Sequence, residues 1–130
     1  MEKRTIDPWA WGANTNSVQA VEVKNVEGTL YCSGQAAIDA NGVPGSADMR
    51  TQLIQTIRNV EQLISESGYE CKNIVRLNVY TTSTQEFFTG CMDVYVPFLQ
   101  KYGIKQATSL LEVKGLFAGL TVELEATVVK

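Results

Sequence analysis

The sequence predicts an α+β fold in which one mixed β-sheet carries two helices on a single face. Two observations support this: short segments alternate apolar and polar residues, and two longer segments repeat apolar residues every three or four positions. The resulting order is β-β-α-β-α-β-β. Each helix offers only one apolar stripe, so both helices should pack on the same side of the sheet. A chain of 130 residues suits one domain, spanning residues 1–130.

The first elements are predicted to form a β-hairpin. Residues 17–24 and 29–33 have the pattern of strands, and Glu27 and Gly28 between them form a turn. Residues 39–46 then predict a loop, because they are rich in residues that accept a positive φ or favour a turn.

The first helix follows this loop. Ser46 or Asp48 can cap its N-terminus, and Gly68 should end it. The apolar positions that define its stripe are Met49, Leu53, Ile57, Val60 and Ile64.

Residues 73–81 alternate between two faces and predict the next strand. One face carries Val75, Leu77 and Val79, and the other carries Ile74, Arg76, Asn78 and Tyr80. Residues 106–113 and 120–129 complete the sheet as strands that are joined across residues 114–119.

The second helix is predicted from the sequence Ser-Thr-Gln-Glu at residues 83–86, which is a capping-box signal. Its apolar residues are Phe87, Cys91, Val94, Tyr95 and Phe98. Pro97 should kink or end this helix, because proline lacks a backbone donor and its ring clashes with the preceding turn.

The last strand has a carboxylate side. Glu123 and Glu125 share one face of it, since successive side chains of a strand point to opposite sides of the sheet. The residues of the other face are Leu120, Val122, Leu124, Ala126 and Val128. The two glutamates therefore share a surface that is either exposed to water or forms the wall of a cavity.

The sheet face without helices is also predicted to carry apolar side chains. They are Ile74, Tyr80 and either Leu110 or Leu111. Such a mixture is too apolar for a fully wetted surface, so we expect this face to be buried against copies of the same chain.

Composition excludes several classes of function. A formal net charge of -3, with scattered Lys and Arg, argues against a nucleic-acid partner. No apolar run is long enough to cross a membrane and the N-terminus lacks an apolar signal core, so we expect a cytoplasmic protein without a membrane partner.

The cysteines Cys32, Cys71 and Cys91 are widely spaced, which fits reduced thiols. The chain has no histidine, which removes the usual general base and most catalytic zinc sites.

Four segments together resemble one protein family. They are Tyr31-Cys-Ser-Gly-Gln35, residues 75–80 (Val-Arg-Leu-Asn-Val-Tyr), residues 109–113 (Ser-Leu-Leu-Glu-Val) and residues 122–126 (Val-Glu-Leu-Glu-Ala). They are similar to the reactive intermediate deaminase family, called RidA or, in older usage, YjgF, and the match covers nearly the whole chain in order. The resemblance implies a chorismate-mutase-like fold. It also implies a homotrimer whose three sheets close into a central β-barrel, with small-molecule clefts between subunits.

The resemblance further implies a reaction. In deaminating members the substrate is a reactive enamine or imine derived from an amino acid, an arginine binds its carboxylate, and a glutamate positions the attacking water without a metal or organic cofactor. Glu123 matches that glutamate. The arginine stands just before the serine matched by Ser109, and this chain has Thr108 there. The sequence therefore predicts a divergent member that lacks the carboxylate-binding arginine.

Other positions that line the family's pocket also differ. Leu110 aligns with a cysteine, Ser17 falls near a tyrosine, and Met92 falls near an asparagine. Ser33 and Gly34 keep the family pattern and could offer a hydroxyl and a backbone donor to a ligand. The resemblance thus implies that the cleft is present but differently lined.

Two functions remain open. One is a hydrolase of an atypical enamine or imine, with Glu123 positioning water, in which Lys105 or Arg76 could supply the missing positive charge. The other is a metabolite-binding or regulatory trimer without chemistry, which Thr108 favours. A ribonuclease, a third possibility, fits poorly with the acidic balance and the absence of histidine.

Overall fold

The computed structural model describes residues 1–130 and contains two β-sheets. Strands β1 (Glu2–Ile6) and β2 (Ala20–Lys24) form a separate antiparallel pair. The main sheet has four strands in the spatial order β3 (Thr29–Tyr31), β6 (Val122–Val129), β4 (Ile74–Thr81) and β5 (Leu110–Glu112). Strand β6 is antiparallel to both β3 and β4, whereas β4 and β5 are parallel, so the main sheet is mixed as predicted.

Three α-helices pack on the main sheet: α1 (Met49–Glu66), α2 (Thr84–Gly90) and α3 (Met92–Tyr102). The predicted starts of the helices are confirmed. The side chain of Asp48 accepts a hydrogen bond from the Thr51 amide at 2.9 Å, and the Ser83 hydroxyl accepts one from the Glu86 amide at 3.1 Å. None of these helices has the length and apolar character needed to cross a bilayer.

The second predicted helix is in fact two helices. The interruption lies at Cys91, where φ is -123° and which follows Gly90, a residue with low helix propensity. Pro97 lies inside α3 and does not end it, so the predicted helix end at Pro97 is wrong. Proline leaves the carbonyl of Asp93 without its helical donor. Asp93 is exposed, so water can satisfy this carbonyl.

The predicted hairpin is wrong as well. Strand β2 pairs with β1, and β3 pairs with β6, so the two strands of the expected hairpin belong to different sheets. The backbone amides of Glu27 and Gly28 instead donate to the carbonyl of Lys130, at 2.6 and 3.1 Å. Strand β1 was not predicted, because Glu2–Ile6 is mostly polar and charged and shows no apolar alternation.

The main core lies between the helices and one face of the sheet. It contains 20 buried residues, most of them from α1, α2, α3, β4 and β6, which confirms that the helices share a face. Along β6 the predicted alternation is also confirmed: Val122, Leu124, Ala126 and Val128 are buried, and Glu123 and Glu125 are only partly buried.

The opposite face, which we call the open face, is more polar than predicted. Ile74 was expected on it but is buried in the core, because the register between β4 and β6 shifts between Ile74 and Arg76. Leu110 packs against the core, so the exposed leucine of β5 is Leu111. The apolar side chains of the open face include Leu111, Tyr31 and the ring of Tyr80, and Val75, which was expected on the helix side, lines a cavity together with Tyr31 and Thr127.

Candidate functional site

Glu123 lies on the open face, in direct contact with Gly34. Its neighbours Val122 and Leu124 are fully buried on the helix side, so the glutamate points away from the helices. A methyl group built on Gly34 would lie 2.5 Å from Cδ of Glu123, which is closer than non-bonded carbon atoms approach. The absence of a side chain at Gly34 is therefore what allows the carboxylate to take this position.

The Glu123 carboxylate has no protein partner. It accepts no hydrogen bond and forms no ion pair, although the residue is half-buried. Burial, and to a smaller extent the charge of Glu125, raise the pKa of Glu123 above the ordinary value of a glutamate. Such a carboxylate exchanges protons closer to neutral pH than an exposed one, which is a useful property for acid or base catalysis.

Glu125 is held in place by two side chains of the neighbouring strand β4. Its Oε1 accepts hydrogen bonds from Asn78 Nδ2 at 3.1 Å and from the Tyr80 hydroxyl at 2.8 Å. The bond to Glu125, followed by burial, raises the pKa of Tyr80. The Oδ1 atom of Asn78 in turn accepts from the Ser109 amide at 3.0 Å and from Arg76 Nη1 at 3.2 Å. Glu125 thus joins β6 to β4, and Asn78 extends this network to the residue before β5, which is a structural role.

Substitution of Glu125 by glutamine is expected to lower the pKa of Glu123. Glutamine keeps an oxygen for Tyr80 and Asn78 but removes the negative charge, which is the second cause of the raised pKa. The pKa of Glu123 should stay above its ordinary value, since burial, the larger cause, remains. Carboxyl ¹³C NMR titration measures this directly. Glu66→Gln, at the exposed last residue of α1, is the control and should leave the titration unchanged. An unchanged or raised pKa in Glu125→Gln would contradict the prediction.

Thr108 faces a different part of the molecule. Its hydroxyl donates to the backbone carbonyl of Leu77 in β4, and it lies beside the phenol of Tyr95 on α3. Burial raises the pKa of Tyr95 to about 12, and the side chains of Thr108 and Gln106 oppose this only in part. Thr108 is therefore on the helix side of the sheet, with its only proton already engaged.

The remaining predicted ligand residues are dispersed. Leu110 and Met92 pack against the main core on the helix side. Ser17 and Lys105 line a separate cavity of about 500 Å³ between the N-terminal segment and the end of α3. Ser33 is exposed next to Gly34, and Ser109 is exposed at the start of β5.

Within one chain, the structure thus brings Gly34 and Glu123 together, with Ser33 adjacent to Gly34 in the chain, and leaves Thr108 on the other side of the sheet. It also adds Tyr80, which pairs with Glu123 across β4 and β6 and was not predicted as a site residue. The sequence pattern already put Tyr80 on the face without helices. The pairing of the two strands was the missing information.

Comparison with known proteins identifies the family. Residues 10–130 match the family described as Endoribonuclease L-PSP. The chain belongs to this family, that of the YjgF, RidA and RutC proteins. The resemblance seen in the four sequence segments is confirmed at this level.

Individual relatives of the YjgF/RidA/RutC family agree with this result. A RutC family protein from Aquifex aeolicus is 31% identical over 112 residues, which cover 86% of each chain. A Rid family protein of unknown function from Yersinia pestis has a TM-score of 0.84 and 28% identity, with full coverage of both chains. The YjgF gene product of Escherichia coli has a TM-score of 0.71 and 26% identity, over 92% of this chain and 91% of its own. The α+β fold with its mixed sheet and three helices is the one these structures share.

Proposed function

We propose that this member of the family is a homotrimeric, small-molecule enzyme that hydrolyses the C=N bond of an atypical enamine or imine, with Glu123 positioning the water. The observation that carries the proposal is the half-buried and unpaired carboxylate of Glu123 beside Gly34, with its raised pKa. The position of this glutamate in the family pattern supports the same role. We also propose that residues 1–130 form a single cytoplasmic domain and that the reaction uses no metal or organic cofactor.

The trimer is part of the proposal because one chain holds only half of the expected cleft. Glu123 lies on the open face against Gly34, whereas Thr108 lies on the helix side near the edge strand β5. In a trimer whose sheets close into a central β-barrel, the edge of one copy meets the open face of the next and completes the cleft. Sedimentation at micromolar concentration should give a trimer, and a monomer would contradict this part of the proposal.

The proposed reaction consumes one water for each C=N bond. Glu123 accepts a proton from the water while its oxygen bonds to the imine carbon, and the π electrons of the C=N bond move to nitrogen. Glu123 then passes this proton to the nitrogen, which gives a carbinolamine. The hydroxyl proton of the carbinolamine moves to the nitrogen as the C–N bond breaks and the C=O bond forms, so a carbonyl compound and ammonia leave. An enamine enters the same path after it is protonated on carbon to give the imine.

Replacement of Glu123 by glutamine tests the catalytic role. Glutamine keeps the shape of the side chain but cannot accept the proton, so kcat/KM for imine hydrolysis should fall about 10²- to 10⁴-fold. The assay follows the decay of imines and enamines generated in solution by an amino-acid oxidase or an amine oxidase. Glu66→Gln is the control and should keep full activity. The proposal is wrong if the wild type does not accelerate the decay of any such compound, or if Glu123→Gln accelerates it equally well.

A second candidate function is a metabolite-binding or regulatory trimer that performs no chemistry. The observation that favours it is the hydrogen bond that the Thr108 hydroxyl donates to the Leu77 carbonyl. Thr108 therefore offers a substrate neither a charge nor a free donor. Leu110 and Met92 contribute to the core instead of presenting polar groups. Turnover that disappears in Glu123→Gln would exclude this candidate.

A further inference from the structure

The donors near Glu123 are already engaged by other protein groups. The Tyr80 hydroxyl and Asn78 Nδ2 both donate to Glu125, so neither is free for an anionic ligand. The Ser33 hydroxyl has no protein partner, but it is neutral and exposed. Around Glu123 the open face therefore presents acceptors and negative charge.

Positive charge is missing from the same region. Arg76 is the basic residue of β4 on this face, but it is exposed, donates to Asn78 at 3.2 Å and forms no ion pair with Glu123 or Glu125. Lys105 lines the separate cavity near the N-terminal segment. A neighbouring copy would add Thr108, which is uncharged. Its hydroxyl proton is already donated to the Leu77 carbonyl. Within one chain, no basic side chain is placed to neutralise a ligand carboxylate at Glu123.

We infer that the ligand of this site carries a protonated nitrogen and no carboxylate group. This inference rests on the proposed function, whose site it describes more closely. A protonated amine or imine can donate to the unpaired Glu123 carboxylate in a charge-assisted hydrogen bond. A ligand carboxylate would instead meet two protein carboxylates on one strand face, and like charges at such short separation repel.

Two pairs of commercial compounds test the inference by binding alone. Isobutylamine and valine differ only by a carboxylate, as do ethanolamine and serine. Titration calorimetry of the full-length protein should show that each amine binds at least about tenfold more tightly than its amino acid, a difference of about 1.4 kcal/mol. Glu123→Gln should weaken the binding of the amine by about tenfold or more, because it removes the charge that the ammonium group contacts. Glu66→Gln should bind as the wild type does.

The outcomes separate this inference from the proposed function. Amine binding that depends on Glu123, without hydrolysis of any imine, would support the inference and contradict the catalytic function. Equal hydrolysis of imines with and without a carboxylate would support the function and overturn the inference. The inference is also overturned if the amino acids bind as tightly as the amines, if the amines fail to bind at millimolar concentration, or if their binding is unaffected in Glu123→Gln.

Discussion

Replacing Gly34 by alanine is expected to reduce imine hydrolysis about a hundredfold while leaving the protein folded. The new methyl group would lie 2.5 Å from Cδ of Glu123, so the glutamate must rotate away. The side chain can move at small cost to stability, but a displacement of about 1 Å at a reacting group is enough for a loss of this size. Steady-state kinetics give the activity, and thermal denaturation shows whether the fold is retained.

A matched control is available at Gly90. Its backbone φ is not in the left-handed region and a methyl group there would contact nothing within 4 Å, so Gly90→Ala should keep full activity. In the double variant Gly34→Ala, Glu123→Gln the two losses should not add, because both act through the same carboxylate. Full activity in Gly34→Ala would show that the observed position of Glu123 is unimportant for the reaction.

Replacing Leu124 by alanine is expected to lower the free energy of unfolding by about 2 to 5 kcal/mol. Leu124 is fully buried at the centre of β6, directly behind Glu123, and its removal leaves a cavity between the sheet and the helices. Urea denaturation at one fixed protein concentration measures the change, since the stability of an oligomer depends on concentration.

Val43→Ala serves as the comparison for this variant. Val43 is 57% exposed in the loop before α1, so removing its methyl groups should change the free energy of unfolding by less than about 0.5 kcal/mol. If the two variants were equally stable, Leu124 would not belong to a tightly packed core.

The parts of the fold that the sequence predicted correctly are those that local patterns determine. The face of β6, the stripe of α1 and the caps at Asp48 and Ser83 depend on neighbours within a few positions, and all are confirmed. The hairpin, the separate pair β1 and β2, and the bulge after Ile74 depend on which distant segments pair. Pairing of this kind leaves no trace in the periodicity of a single strand.

The candidate site shows the same division. The alternation of Glu123 and Glu125 was visible in the sequence, and so was the threonine at position 108. That the Thr108 hydroxyl is bound to Leu77 follows from the parallel pairing of β4 and β5, and that Glu125 is held by Tyr80 follows from the register of β4 and β6. The difference between the two glutamates, one unpaired and one structural, therefore required the tertiary structure.

The position of β6 has a consequence for synthesis on the ribosome. Strands β3 and β4 are made before β6, yet β6 lies between them and supplies much of the sheet side of the core. Until residues 122–129 have left the exit tunnel, β3 has no strand partner. The apolar face of α1 also lacks the side chains of β6 that bury it in the folded protein. Nascent chains that end before β6 should thus expose unpaired strand edges and bind chaperones, and folding should be completed only after most of the chain has been released.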